Sequence, residues 1–395
     1  RTMGGTPDTS VDEYWGGDIP WMRSGDIHQR YIADVEGRIT EEGKSTSRAE
    51  VIPEHSVLIG LNGQGKTKGT VAVNEIPLTA NQSVGTYIVN DEKLDYRYLY
   101  FSLDAKYSRL RALAGGGRSG LNLTLLGQVK IPYPPLPEQR RIADILSTVD
   151  DQIQQTDEII NKKQDLTQGL INELVKTGVQ DSPDTHGVQI GPKQIEIPTN
   201  WDLLRVDELV TNDDDAIRTG PFGSKLKKEY LVSEGVKVYE QSNVYDKDFT
   251  QGNRYVTQDR YESELTSYDA TPGDVLITLQ GTIGDAAVLP DKAEPGVINQ
   301  KLMRVRVDPE ICLPEYFATF FDESHLADFQ IEAVSHGAVV SGLNISTISG
   351  IRVPIPSLQE QRKIVDIVES SKSSLGEEQE TKQHLRELKR GLMQD

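Results

Sequence analysis

The chain has 395 residues, 36% hydrophobic and 26% charged, enough for two globular domains with their own cores. It holds no apolar run of the roughly 18 residues that a membrane span needs, and its single cysteine, Cys312, excludes an internal disulfide framework and fits a reducing cytoplasm. A net charge of −19 argues against a simple basic nucleic-acid binder; either the acidity is spread over the surface, or basic partner subunits complete a charged groove.

The chain opens on Arg1 with no signal-peptide pattern, and we expect a short N-terminal stretch to precede it. Short β-branched runs, "SVLIG" and "TYIV", are bounded by Gly, Pro and Asn and predict strands. Between them lies "GLNGQGKT", residues 60–67, which fits the phosphate-binding pattern G-x-x-x-x-G-K-[ST]. That pattern requires a helix directly behind the lysine, because the helix N-terminus holds the phosphates. The segment behind it is "KGTVAVNEIPLT", where Val71 and Val73 favour a strand and Pro77 breaks any helix. The expectation is therefore a glycine-rich, hairpin-like loop with Asn62, Gln64, Lys66, Thr67 and Lys68 at its tip. Helix-like "YRYLYFSL" comes next. "GGGRSG", residues 115–120, succeeds a helix-like run rather than a strand, so a dinucleotide fingerprint is set aside; a flexible loop, or one touching phosphate through Arg118, remains.

Residues 122–146 read "NLTLLGQVKIPYPPLPEQRRIADIL" and residues 344–368 read "NISTISGIRVPIPSLQEQRKIVDIV", aligned without a gap. The chain is thus two copies of one unit, each a variable globular part with a more similar tail. Each tail predicts a long helix. Ile142, Leu146, Val149, Ile153, Ile160, Leu170 and Leu174 form a heptad-like seam, interrupted by Thr156, Lys163 and Thr167. In the second tail Ile364, Val368, Leu375, Leu385 and Leu392 form the seam, interrupted by Ser371, Glu378, Lys382 and Lys389. Neither stripe is rich enough to stand alone, so the two helices are expected to bury them against each other. About 40 residues at about 1.5 Å each make a rod of roughly 60 Å. "DSPDTHGVQIGP" between the copies has no periodicity and reads as a linker. The second copy repeats the strand runs as "DVLIT" and "LMRVRV" and the helix as "PEYFATFFD". Its counterpart of the glycine-rich loop, "TLQGTIGDAA", has neither the lysine nor the hydroxyl after it.

The boundaries expected are a first globular domain over 1–133, a helix over 134–178, a linker over 179–192, a second globular domain over 193–355 and a second helix over 356–395. The fold class is α+β with an internal pseudo-repeat. No catalytic constellation emerges. The six histidines are scattered, no Cys/His cluster has metal-ligand spacing, and Cys312 reads as a core thiol. A two-lobed protein scaffold and a nucleotide-binding protein remain as rival classes.

The duplicated "PPLPEQRRIADIL" and "PSLQEQRKIVDIV" tails, with "WGGDIPWMRSGDI", "GPFGSKL" and "NWDLLRVDEL", resemble the specificity subunit of type I restriction–modification systems, over essentially the whole chain. The resemblance implies two target-recognition domains joined by two long helices in an antiparallel coiled coil, each domain reading one half of a split DNA sequence. It implies a non-catalytic cytoplasmic subunit that docks two methyltransferase subunits and is joined by restriction subunits, with S-adenosylmethionine, ATP and Mg on those partners and no cofactor in this chain. Polar loop residues suited to base edges and phosphates then become candidate DNA contacts. In the first lobe these are Arg23, Ser24, Asn62, Gln64, Lys66, Lys68, Asn81, Gln82 and Arg118. In the second they are Lys225, Lys227, Gln241, Asn243, Gln280, Thr282, Asn299, Gln300 and Lys301. The repeated triplets Glu138-Gln139-Arg140 and Glu360-Gln361-Arg362 are the candidate partner-docking residues.

Overall fold

The computed structural model describes residues 1–63, 65–113, 120–179, 184–223, 225–335 and 343–393. Its contacts divide it into two units, residues 1–159 with 378–395, and residues 160–377.

In the first unit, strand Val57–Gly60 lies between Val71–Asn74 and Val84–Tyr87, antiparallel to both, with Val57 opposite Val73 and Tyr87. Thr2–Met3 and Tyr31–Ile32 complete a five-stranded sheet. All four residues of Val57–Gly60 are buried because both faces are covered. Val57 and Ile59 meet Leu99, Phe101 and Leu103 of helix Tyr96–Asp104, and Leu58 meets Met22, Ile27 and Ile32. That is why the run is continuously apolar rather than alternating. A small second sheet pairs Trp15–Met22 in parallel with Thr79–Ala80.

The second unit repeats this framework. Val275–Thr278 lies between Ala286–Val288 and Leu302–Val305, Ile217–Thr219 flanks the latter, and Val236–Tyr239 runs parallel to Gly296–Ile298. Helix Pro314–Glu323 covers the sheet with Phe317, Phe320 and Phe321. Cys312 is fully buried in this core, and burial pushes its thiol pKa up. It should resist alkylation in the native chain and react only on unfolding; rapid native labelling is the contrary result, read by mass spectrometry.

Of the segment expected to be a linker, residues 180–183 lie outside the described residues, and the part after them is not structureless. Thr185–Ile190 pairs with Lys193–Pro198 through a turn at Gly191 and Pro192. Asp202–Arg205 then pairs antiparallel with Arg352–Ile355.

The first long helix is Leu136–Thr177, 42 residues, and the second is Leu358–Leu392, 35 residues. Five of the polar residues that interrupt the seams, Lys163, Thr167, Ser371, Lys382 and Lys389, turn out to be cross-helix partners, whereas Thr156 donates back to Gln152 O of its own helix. In the first unit Asp150 pairs with Lys389 at 2.7 Å and Asp157 pairs with Lys382. In the second unit Lys163 donates to Ser374 at 2.9 Å, and Thr167 and Ser371 share a hydrogen bond of 2.7 Å. In each unit one number rises as the other falls, which is antiparallel pairing. Leu170 and Leu392, expected on the seams, are 37% and 40% exposed; Ile171, fully buried, takes the place of Leu170 as the stripe drifts round the helix.

Gly178 ends the first long helix at φ +74, and a Cβ there would stand 2.2 Å from Glu360 Oε1, so only glycine fits. Glu360 is buried and accepts from the Trp201 indole at 3.1 Å. Gln139 and Gln361 are fully buried. Gln139 accepts from the Asp95 amide and donates to the carbonyls of Lys93 and Pro134. Gln361 accepts from the Leu313 amide and donates to Ile311 and Pro356. Of the two triplets expected to dock partners, then, only Glu138, Arg140 and Arg362 are on the surface. Gln139, Gln361 and Glu360 instead tie each helix start to its own lobe, because irregular backbone leading into a helix needs internal partners. Gln361→Ala removes the partner of one buried and two half-buried backbone groups and should cost about 2 kcal/mol or more, seen as a lower urea midpoint for the full chain. Arg362→Ala should leave the midpoint nearly unchanged. Equal midpoints for the two variants would refute the assignment.

Candidate nucleic-acid interface

In each lobe two loops leave the C-terminal ends of a parallel strand pair, and a hairpin tip is hydrogen-bonded to one of them. In the first lobe Arg23 and Ser24 come after Trp15–Met22, and Asn81 and Gln82 come after Thr79–Ala80. The Asn81 amide donates to Met22 O at 3.0 Å, Asn81 Oδ1 accepts from Ser83 N, and Leu61 N donates to Ser83 O. In the second lobe the Asn299 amide donates to Tyr239 O at 3.0 Å, Asn299 Oδ1 accepts from Lys301 N, and Leu279 N donates to Lys301 O. The Asn-Gln pairs thus make the same side-chain-closed turn twice. A glycine underlies each: a Cβ on Gly4 would stand 2.0 Å from Ala80 O, and one on Gly220 1.9 Å from Asn299 O.

These bonds gather most of the expected contacts of each lobe into one loop cluster. Arg23, Asn62, Lys66 and Gln82 are exposed, with Ser24 and Asn81 half-buried. Lys225, Lys227, Gln280, Thr282, Gln300 and Lys301 are exposed, with Gln241 and Asn299 half-buried. Gln241, Asn299, Gln300 and Lys301 line a cleft of about 580 Å³ together with Tyr245 and Arg254. Two expected contacts are not surface groups. Asn243 is buried, accepting from Glu240 N and donating to Asp248 O and Gln251 O, so its amide is spent on the backbone. Lys68 is also buried, only 9% exposed. Gln64 and Arg118 lie outside the described residues.

The "GLNGQGKT" loop joins the antiparallel strands Val57–Gly60 and Val71–Asn74. A strand, not a helix, comes after Lys66, so the loop does not present a helix N-terminus to a phosphate. No saturable ATP binding by the full chain is expected, with Lys66→Ala indistinguishable from the parent; micromolar binding abolished by that substitution is the contrary outcome. Among the described residues, no group of three or more His, Cys, Asp or Glu could hold a metal ion.

Several neighbours of the cluster were not anticipated from the sequence. The Arg260 guanidinium stacks 3.6 Å from the Tyr230 ring centroid. Lys225 and Arg218 both approach the Tyr268 ring, at 5.2 and 5.0 Å. The signal was present in "SKLKKEY" and "DRYESEL", where basic and aromatic residues interleave.

A family model described as the type I restriction modification DNA specificity domain matches residues 2–163 and again 222–387. The chain belongs to that family. Its two matches fall on the two lobes and run into the long helices, as the tail repeat leads one to expect. The MjaVIII type I restriction enzyme specificity subunit of Methanocaldococcus jannaschii is 24% identical over 99% of this chain and 88% of its own. The MjaIX specificity subunit of the same organism is 30% identical over 52% of this chain and 48% of its own. The EcoKI specificity subunit of Escherichia coli is 22% identical over 89% and 75%. Among solved structures, a chain from a study of complex assembly and conformational transition in a type I restriction–modification system has a TM-score of 0.61 at 15% identity, covering 100% of this chain and 94% of that one. The S subunit from M. genitalium has a TM-score of 0.54 at 15% identity, covering 99% and 92%. Specificity-family membership and the mixed α/β pseudo-repeat are therefore established. Among the described residues no helix is long and apolar enough to cross a membrane.

Proposed function

We propose that this chain is the non-catalytic, sequence-reading subunit of a cytoplasmic type I restriction–modification complex. Each lobe reads one half of a bipartite, asymmetric duplex DNA target. The two similar tails dock two methyltransferase subunits, and restriction subunits join them. S-adenosylmethionine, ATP and Mg belong to those partners. One observation carries the reading: the two lobes share a hydrogen-bonded loop framework yet present different residues on it, Lys66 and Asn62 in one, Gln280 and Thr282 in the other. A shared frame with changed tips is what independent reading of two unlike half-sequences requires. The net charge of −19 suits partners that supply much of the phosphate-binding charge.

The test is to map methylated bases in DNA from a host expressing this chain with its methyltransferase. One motif of two defined halves around an unspecified gap is expected. A single contiguous motif, or no motif, would refute it.

A further inference from the structure

The reader tip of the second lobe is short and glycine-rich, with Gly281 at φ +82 and Gly284 at φ +99. Left alone, such a loop would sample many conformations, and an amide that wanders cannot discriminate base edges. The tip is not left alone. The Tyr245 hydroxyl lies 3.1 Å from Gln280 O and 3.4 Å from Thr282 O. Gln241 Nε2 donates to Gln280 O and, at 3.1 Å, to the Tyr245 oxygen. Gly281 sits so close that a Cβ there would be 2.9 Å from the same oxygen.

The other end of this assembly is held by one carboxylate. Asp322 accepts from Ala286 N at 3.1 Å, where the hairpin returns, and pairs with Lys247 at 2.6 Å. Lys247 stands just past the helix Gln241–Tyr245, at φ +50. Asp322 thus ties the returning strand and the helix that carries Tyr245 to the core-packed helix Pro314–Glu323.

The first lobe uses the same device with other residues. His28 lies six positions after Met22, as Tyr245 lies six after Tyr239, and its ring nitrogen is 3.1 Å from Thr67 Oγ1. Tyr107 adds a hydroxyl donated to Lys66 O at 3.1 Å, and Arg111 donates to Gly65 O.

We propose that Tyr245 and Asp322 in the second lobe, and Tyr107 in the first, are positioning residues that set half-site specificity by holding the reader tips through their backbone. This rests on the base-reading role proposed above. None of the three needs to touch DNA. Their loss should therefore lower the affinity for the correct half-sequence while sparing phosphate-driven binding, which tolerates a mobile tip.

The experiment measures binding of the full chain to four duplexes: the mapped target, each half scrambled in turn, and both scrambled. Tyr245→Phe, which removes one oxygen and keeps the ring, should reduce discrimination at one half by about tenfold and leave the other half untouched. Tyr107→Phe should do the reverse, and Asp322→Asn should act on the same half as Tyr245→Phe. Affinity for the doubly scrambled duplex should stay at the parent value in all three variants, and the thermal midpoint should stay there in Tyr245→Phe and Tyr107→Phe; Asp322→Asn, which loses its charge pair with Lys247, should lower the midpoint as well. Parental discrimination in Tyr245→Phe would overturn the proposal, and so would an equal loss on all four duplexes. If the parent chain itself fails to distinguish the duplexes, the DNA-reading role falls, and this inference with it.

Discussion

Gln280→Ala is expected to weaken binding to the mapped target by about 5- to 150-fold, the cost of about 1–3 kcal/mol for one base-reading contact. A glutamine amide can pair with an adenine edge through two hydrogen bonds, and Gln280 is exposed on a tip whose backbone is pinned. The loss should vanish on a duplex in which that half is already scrambled, because there is no correct edge left to lose. Lys66→Ala should behave likewise at the other half. Lys227→Ala provides the contrast. Its exposed ammonium lies 5.9 Å from the Tyr230 ring centroid and 3.5 Å from the Glu229 carboxylate, a solvent-exposed pair weak enough for a phosphate to displace. Its removal should weaken all duplexes alike and reduce the slope of log affinity against log salt by about 1. Losses that ignore which half is scrambled would show that the lobes do not read independently.

The repeat was legible because two tails matched without a gap over 25 residues, with shared prolines and the shared triplet Glu-Gln-Arg. What the match could not convey was exposure. Gln139 and Gln361 repeat because each satisfies the same irregular backbone at a helix start, a demand internal to each lobe. The hairpin reading of "GLNGQGKT" came from two β-branched residues and a proline, local signals that tertiary context did not override. Asn243 looked like a reader only because it is polar and in a loop segment; its buried amide closes the loop itself. Tyr245 and Asp322 carried no signal in the chain. Their role exists only where a helix, a hairpin and a second helix meet, and no spacing rule records that meeting. The seam interruptions were visible, but their meaning was not, since Lys163 and Ser374 are paired by an antiparallel register that periodicity alone does not specify.

That register decides how the helices can be tested as a ruler. An insertion near Thr156 in the first helix alone would break the cross-helix order, because Asp157 must still meet Lys382 while Lys163 must still meet Ser374. Four residues should therefore be added to both helices, after Ile159 in the first and after Glu377 in the second. Both pairings then survive on their own sides. Each insertion adds about 6 Å of rise and about 40° of net rotation to its helix. One base-pair step adds about 3.4 Å and about 35°. The unspecified spacer of the target should lengthen by one to two base pairs, length favouring two and rotation favouring one. Both half-sequences should remain unchanged, since no reading loop has been touched. Exchanging residues 20–115 for the matching segment of another family member should do the opposite, altering one half-sequence and keeping the spacer. Methylation-site mapping of both variants distinguishes the outcomes. An active insertion variant that keeps the parental spacer, or that changes a half-sequence, would show that the paired helices do not set the distance.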